Sequence, residues 1–182
     1  MQQKFTFSLR VSDDYEENNY GFAESFDYVD PVTVYQGFPL EEEWQEPFFR
    51  MEYGEHIDFI DNDCDWIICS SKLKEVIEYH IGSMPNVVWL PAKVQNDEEV
   101  RTYYICLITS FLKMEDVLDI KNSRTLKNGE IYLPCFDLEK LKGKHFFALE
   151  NFNNEIFISK QLKDILQKEN FTGLGFEDWG SV

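Results

Sequence analysis

The sequence predicts a single α+β domain built mostly from antiparallel strands with two main helices. Its 182 residues are 43% hydrophobic and 16% aromatic, which is enough apolar surface for a folded core. Several segments alternate apolar and polar residues, as half-buried strands do, and short polar turns separate them. A strand–helix–strand pattern also occurs twice, which indicates an internal duplication.

The N-terminal region contains three predicted strands. Phe5, Phe7, Leu9 and Val11 alternate, so residues 4–11 form a strand and not the continuous apolar stretch of a signal peptide. Further strands are expected at 32–35, which is rich in β-branched residues, and at 48–53 (FFRMEY). Between the last two, prolines 39 and 47 bound an acidic stretch that favours a short helix.

The remaining strands are predicted to form two hairpins and a connecting segment. Residues 87–94 pair with 102–111 across the polar turn 96–99, and residues 145–149 pair with 156–158 across the turn 151–154. Between the hairpins, residues 121–128 form a basic polar loop and 130–136 form a strand. Asp137 is then expected to cap a short helix over Leu138 and Leu141 that ends at Gly143.

The two predicted main helices share one sequence pattern. Residues 67–77 match residues 156–166 at an offset of 89, with Ile67, Ser70, Leu73 and Lys74 identical to their counterparts. In each copy a short apolar strand leads to a serine able to cap a helix, and apolar residues then follow at i+3 and i+4 spacing. We therefore expect helices at 70–81 and 159–168, with the TGLGF segment (172–176) forming a turn and then a strand.

One domain covers residues 1–182 in this interpretation, because no low-complexity linker divides the chain. It comprises an acidic part (1–65), a first repeat at about 66–95 and a second repeat at about 145–179.

Charge is the most informative property of the composition. The chain has 34 acidic and 17 basic residues, a net charge of −17. Residues 1–65 hold 17 acids and three bases, a net of −14, whereas the remainder has a net of only −3. Such a surface repels phosphate backbones, so we expect no nucleic-acid partner, and it attracts basic proteins.

The sequence predicts neither an enzyme nor a metal site. It contains no Gly-rich phosphate loop, HExxH or GxSxG motif, and a Cys135–His145–Asp137 triad rests on composition alone. Asp61-Asn62-Asp63 lacks the glycine and closing glutamate of a calcium loop and indicates a turn. Four cysteines without CxxC spacing indicate reduced, buried thiols. We expect no cofactor, no membrane span and a cytoplasmic location.

The chain resembles bacterial immunity proteins of polymorphic-toxin systems, in particular the immunity class numbered eleven, formerly a domain of unknown function. The resemblance rests on VYQGFPL, on HIDFIDNDCDWIICSSKLKEVIE, on TYYICL and on EIFISKQLKDILQKENFTGLGFEDW, within residues 32–179. It implies a small, non-enzymatic cytoplasmic protein that binds and neutralises a toxin. The family carries no catalytic residues over to this chain.

The toxin-binding face is predicted in the acidic region, because clustered charge steers a basic partner and an aromatic among charges is a plausible hot spot. The candidate residues are Asp13, Asp14, Glu16, Glu17, Glu41, Glu42, Glu43, Trp44 and Glu46. The same acids can instead serve only to solvate a surface. A generic interaction or scaffold domain of a secretion-associated system remains the alternative function, and an uncharacterised enzyme the third.

Overall fold

The computed structural model describes residues 6–12, 21–25, 44–82, 86–97 and 99–180. The strand predicted at 32–35 and most of the helix predicted after Pro39 lie outside these residues. The strands are β1 (Thr6–Val11), β2 (Phe22–Ser25), β3 (Phe48–Tyr53), β4 (Phe59–Asn62), β5 (Ile68–Cys69), β6 (Val87–Asn96), β7 (Glu99–Ile108), β8 (Arg124–Thr125), β9 (Ile131–Leu133), β10 (Phe146–Leu149), β11 (Phe152–Ser159) and β12 (Leu174–Trp179). The helices are α1 (Ser71–Ile81), α2 (Met114–Val117) and α3 (Lys160–Glu169).

Six strands close into a barrel in the order β2-β3-β6-β7-β5-β4. The predicted hairpin β6–β7 is its longest pairing, with Val87 opposite Ile108 and Asn96 opposite Glu99. Two parallel pairings, β2 with β4 and β3 with β6, complete the closure. Large apolar side chains such as Phe49, Trp66 and Ile105 fill the interior, which we call the barrel core.

The other main sheet has four antiparallel strands in the order β10-β11-β1-β12. Its central strand β1 pairs with β11 on one side and β12 on the other. Both faces of this sheet are covered, so Thr6 and Ser8 are buried as well as Phe7 and Leu9. The Ser8 hydroxyl oxygen accepts a hydrogen bond from Trp179 Nε1 at 2.9 Å, as a buried polar group requires.

The helices α1 and α3 form as predicted. Ser70 Oγ accepts a hydrogen bond from the Leu73 amide, and Ser159 Oγ accepts one from the Leu162 amide, both at 3.2 Å. These bonds satisfy donors that the first helical turn leaves unpaired. The apolar stripes of both helices join one cluster between barrel and sheet, the interlayer core, whose helical members are Leu73, Ile77, Leu162 and Leu166. The α+β prediction is therefore confirmed, while the duplication stays a prediction.

The TGLGF segment connects the barrel to the sheet. Thr172 O accepts a hydrogen bond from Phe59 N of β4 at 3.0 Å, and Gly173 O accepts one from Ser12 N, next to β1, at 2.8 Å. The Asp58 carboxylate accepts hydrogen bonds from the Thr172 amide and hydroxyl and from Ser70 Oγ at the start of α1. Three elements distant in sequence thus meet at one carboxylate.

Three local predictions are wrong. The turn expected at 151–154 lies largely within β11, which begins at Phe152 opposite Leu149. Asp137 does cap the backbone, accepting from the amides of Glu139 and Lys140 at 3.0 and 3.3 Å, but residues 138–143 form turns and no helix. Isolated turn bonds replace helical ones there, with the Leu141 amide donating to Asp137 O at 3.1 Å and the Lys144 amide donating to Leu141 O at 2.9 Å. The basic stretch 121–128 is not only a loop, because it contains β8, which pairs with β9 in a separate two-stranded sheet.

Candidate interaction surfaces

Most of the predicted acidic face lies outside the described residues. This applies to Asp13, Asp14, Glu16, Glu17, Glu41, Glu42 and Glu43. Trp44 and Glu46 are described, and they enter the fold beside β6, where Pro47 O accepts a hydrogen bond from Lys93 N at 2.9 Å. The described part of the candidate face is thus the point at which the acidic segment joins the barrel.

Trp44 is fixed against the barrel. It is partly buried, packs on the barrel core, and donates from Nε1 to Pro91 O at 2.9 Å. Glu46 is more exposed and lies 3.6 Å from Lys93 Nζ, an ion pair of the kind that contributes little to stability in water. Trp44 consequently has a packing role in addition to any role in binding.

One rim of the barrel presents a small polar and aromatic cluster. Tyr103 donates its hydroxyl to Ile57 O at 2.9 Å and stacks on His56, with ring centroids 5.9 Å apart. Desolvation lowers the pKa of His56 and raises that of Tyr103, because burial disfavours the charged form of each side chain. Beside them, Arg101 forms two hydrogen bonds with Glu99, which lower the pKa of that carboxyl.

The cysteines are buried free thiols. Desolvation raises the pKa of Cys64 to about 11 and raises the pKa values of Cys69, Cys106 and Cys135 as well. Because the thiolate is the reactive form, these side chains are poor nucleophiles.

Cys135, His145 and Asp137, the residues of the triad that composition alone would allow, have separate structural partners. His145 Nδ1 lies 2.9 Å from Ser159 Oγ, and Asp137 caps its own turn. The backbone amide of Cys135 donates to Ser123 Oγ at 2.9 Å, which fixes that residue in a different network.

Neither the Asp61–Asp65 turn nor the rest of the described structure offers a metal site. The buried Asn62 organises the turn: its Oδ1 accepts from the amides of Cys64 and Trp66, and its Nδ2 donates to Trp66 O at 2.7 Å. Over all the residues that the structure describes, no three His, Cys, Asp or Glu side chains are grouped to hold a metal ion. Within those residues, no helix is long and apolar enough to cross a membrane.

The surface feature that the sequence reasoning missed is a projecting ribbon, residues 120–133. It contains the sheet of β8 and β9, and all of its residues are exposed except Ser123 and Ile131, which are half-buried. Four of the eight large apolar side chains exposed in the described structure lie here: Ile120 (48% exposed), Leu126 (49%), Tyr132 (50%) and Leu133 (39%). Asn128-Gly129 is a strong hairpin signal, and it could have revealed the ribbon from sequence.

A second exposed aromatic stands apart from the ribbon. Tyr79, on the solvent side of α1, is 83% exposed and contacts the His80 ring edge-on, with centroids 5.0 Å apart. A single exposed aromatic of this kind is ordinary on a protein surface.

The described residues thus form an α+β protein with a six-stranded barrel, a four-stranded sheet, an exposed ribbon and buried thiols. The chain belongs to the Imm11 immunity protein family, since the model of that family matches residues 8–181. The match spans the barrel, both main helices and the four-stranded sheet. No curated protein matches the chain significantly.

Proposed function

We propose that this protein is a cytoplasmic immunity protein that binds a cognate bacterial toxin and neutralises it without catalysing a reaction. The observation that carries the proposal is the family match over residues 8–181. The raised pKa values of the cysteine thiols agree with a binding role, because they leave those side chains unreactive at neutral pH.

The toxin is proposed to be a basic protein. Residues 1–65 carry a net charge of −14, which accelerates the encounter with a cationic partner and repels nucleic acids and anionic membranes. The proposed contact residues remain the acidic candidates of this region, together with Trp44. Since Trp44 also packs on the barrel core, it would offer a fixed aromatic anchor at the edge of that face.

A co-expression experiment tests the function. Each candidate toxin domain from the reading frames next to this gene is induced in a sensitive bacterium with or without this protein. Survival only in the presence of the protein, and co-purification of the two chains, is the expected result. Unchanged killing together with no co-purification would refute the proposal.

A second experiment tests the acidic face. Changing Glu41, Glu42, Glu43 and Glu46 to Gln should slow association with the toxin domain and flatten its dependence on salt, while stability stays almost unchanged. The matched control neutralises four exposed acids elsewhere: Glu75, Glu115, Glu150 and Glu169. Equal association rates for the two variants would show that the net charge of the protein sets the association rate and that the position of the acidic residues does not. Trp44→Ala is a weaker test, because it also removes core packing.

We further infer that the two strand–helix segments derive from one duplicated unit. Besides the serine caps and buried leucines, the paired lysines have like surroundings: Lys74 Nζ lies 5.1 Å from the Tyr104 ring centroid, and Lys163 Nζ lies 3.6 Å from that of Phe7. Superposition of residues 67–77 on 156–166 in an experimental structure tests this inference, and a poor fit of the backbones would contradict it.

A further inference from the structure

The ribbon is a fixed structure with exposed apolar side chains. At its base, Ser123 Oγ donates to Asp119 O at 2.8 Å and accepts from Cys135 N at 2.9 Å. At its tip, Leu126 N donates to Glu130 O at 2.7 Å, and Gly129 adopts the φ of +87° that a tight turn favours. A two-stranded sheet this short is only marginally stable alone, so these bonds hold its shape.

A β-bulge directs two neighbouring apolar residues to solvent. Arg124 lies opposite Leu133 and Thr125 lies opposite Ile131, so the register shifts by one residue between these pairs. Ile131 packs against the cluster that contains Phe136 and Phe157 on the far side of the sheet. In a regular strand, side chains alternate between the two faces, so Tyr132 would face away from this cluster and Leu133 would face the same way as Ile131. With the bulge, both Tyr132 and Leu133 are exposed.

The ribbon differs in charge from the rest of the chain. The ribbon contains three basic residues, Lys121, Arg124 and Lys127, and one acid, Glu130, a net charge of +2, although the whole chain has a net charge of −17. All three cations are exposed, and none forms an ion pair with another described residue. The ribbon therefore combines an apolar centre with a basic margin, which is the complement of an apolar patch bordered by carboxylates.

Electrostatics selects among possible occupants. Two copies of this chain would each bring a net charge of −17, and a symmetric ribbon-to-ribbon contact would place a local charge of +2 against another of +2. A nucleic acid or an anionic membrane would meet the same excess of negative charge. A protein partner that has an apolar patch bordered by carboxylates complements the ribbon in both respects. Its carboxylates would pair with the ribbon's cations, and its apolar patch would pack against the ribbon's apolar side chains.

We propose that the ribbon is a docking element for the toxin domain, in addition to the proposed acidic face, and that Leu126, Tyr132 and Leu133 insert into such a patch. This inference rests on the proposed function. The toxin's overall charge governs its long-range approach to the acidic region, whereas a local patch of the toxin contacts the ribbon. Because the ribbon is already ordered, little conformational entropy is lost when it binds, and the apolar contacts slow dissociation.

Binding kinetics with the toxin domain found in the co-expression experiment, in a variant that no longer kills cells, test the proposal. Tyr132→Ala should raise the dissociation rate by about tenfold or more, as loss of a hot-spot aromatic does. Leu126→Ser at the tip should act in the same direction and provides a second variant if the first folds poorly. Tyr79→Ala is the matched control, since it removes an exposed tyrosine outside the ribbon and should leave the rate unchanged.

Charge reversal tests the basic margin. Changing Lys121, Arg124 and Lys127 to Glu should weaken binding by about tenfold or more at low salt and less at high salt. The control reverses Lys113, Lys142 and Lys168, three exposed lysines elsewhere, with the same change in net charge. If the ribbon set strengthens binding or matches the control set, the proposed carboxylate-bordered patch is wrong.

The outcomes separate the two proposals. If the wild-type protein neither binds the toxin domain nor protects cells, the proposed function fails and the docking role fails with it. If the wild type binds and every ribbon variant binds equally well, only the docking role is refuted. A wild-type protein that is dimeric by light scattering, with a monomeric Tyr132→Ala variant, would identify the ribbon as a self-association surface and overturn the proposal.

Discussion

Replacing Gly173 by Ala tests whether the TGLGF segment depends on a close backbone approach between barrel and sheet. Gly173 has a φ of +76°, and a Cβ built there would lie 2.2 Å from Phe59 O and 2.6 Å from Ile57 Cδ1. Real Cβ atoms essentially never approach another heavy atom within 3.0 Å, so Phe59 O of β4 would have to move away from residue 173 by at least 0.8 Å, the difference between 3.0 and 2.2 Å. That movement would strain the hydrogen bond from Phe59 N to Thr172 O.

The magnitude follows from two contributions. The left-handed conformation costs an alanine about 1–2 kcal/mol, and crowding in a packed region costs about 1–3 kcal/mol more. We therefore expect Gly173→Ala to lower the free energy of unfolding by about 2–5 kcal/mol, measured by urea denaturation. Gly143→Ala is the matched control, because Gly143 has a φ of +79° but a Cβ there would meet no atom within 4 Å. Equal losses in the two variants, within about 0.5 kcal/mol, would refute the close-approach argument.

Three further predictions concern stability and reactivity. Leu162→Ala should lower the free energy of unfolding by about 2–5 kcal/mol, because Leu162 is buried in the interlayer core; a loss below about 1 kcal/mol would contradict that packing. Desolvation raises the pKa of Glu155, so the folded state binds this proton more tightly than the unfolded state does. The free energy of unfolding should therefore fall as the pH rises from about 4.5 through the raised pKa of Glu155. Glu155→Gln should remove this fall in denaturation curves between pH 4 and pH 7. Glu177→Gln, which alters the other carboxylate on Arg10, should leave most of the fall, because desolvation is the main cause of the raised pKa and Glu177 adds a smaller contribution. A thiol reagent should titrate four cysteines quickly in denaturant and slowly in the native protein, and rapid native labelling would contradict their burial.

The elements that could be predicted are those with a local physical cause. Ser70 and Ser159 cap helices because their hydroxyls reach the amide three residues on, a geometry set within one turn. The β6–β7 hairpin likewise follows from alternation on both sides of a polar turn. The run Ile156–Ile158 predicts a strand buried on both faces, as found, with Phe157 on the opposite face from its neighbours.

The closure of the barrel has no local cause in the sequence. Its parallel pairings join β2 to β4 and β3 to β6, and strand β2 has only four residues without clear alternation. Such pairing depends on burial by distant segments, which periodicity along the chain does not report. The exposed side of the ribbon was missed for a related reason: the bulge that turns both Tyr132 and Leu133 outward is a property of the paired strands.

The residues that identify the family are largely engaged in holding the frame together. Asp58 binds Ser70 and Thr172, Asn62 organises its turn, and Gly173 permits the approach of the barrel to the sheet. Under the proposed function, discrimination between toxins is expected at exposed positions outside these motifs, because substitutions there cost little stability, whereas changes at Asp58, Asn62 or Gly173 would also disturb the fold. Transplanting residues 120–133 between two proteins of this fold should then move part of the binding preference with the ribbon while the melting temperature of each protein stays nearly constant.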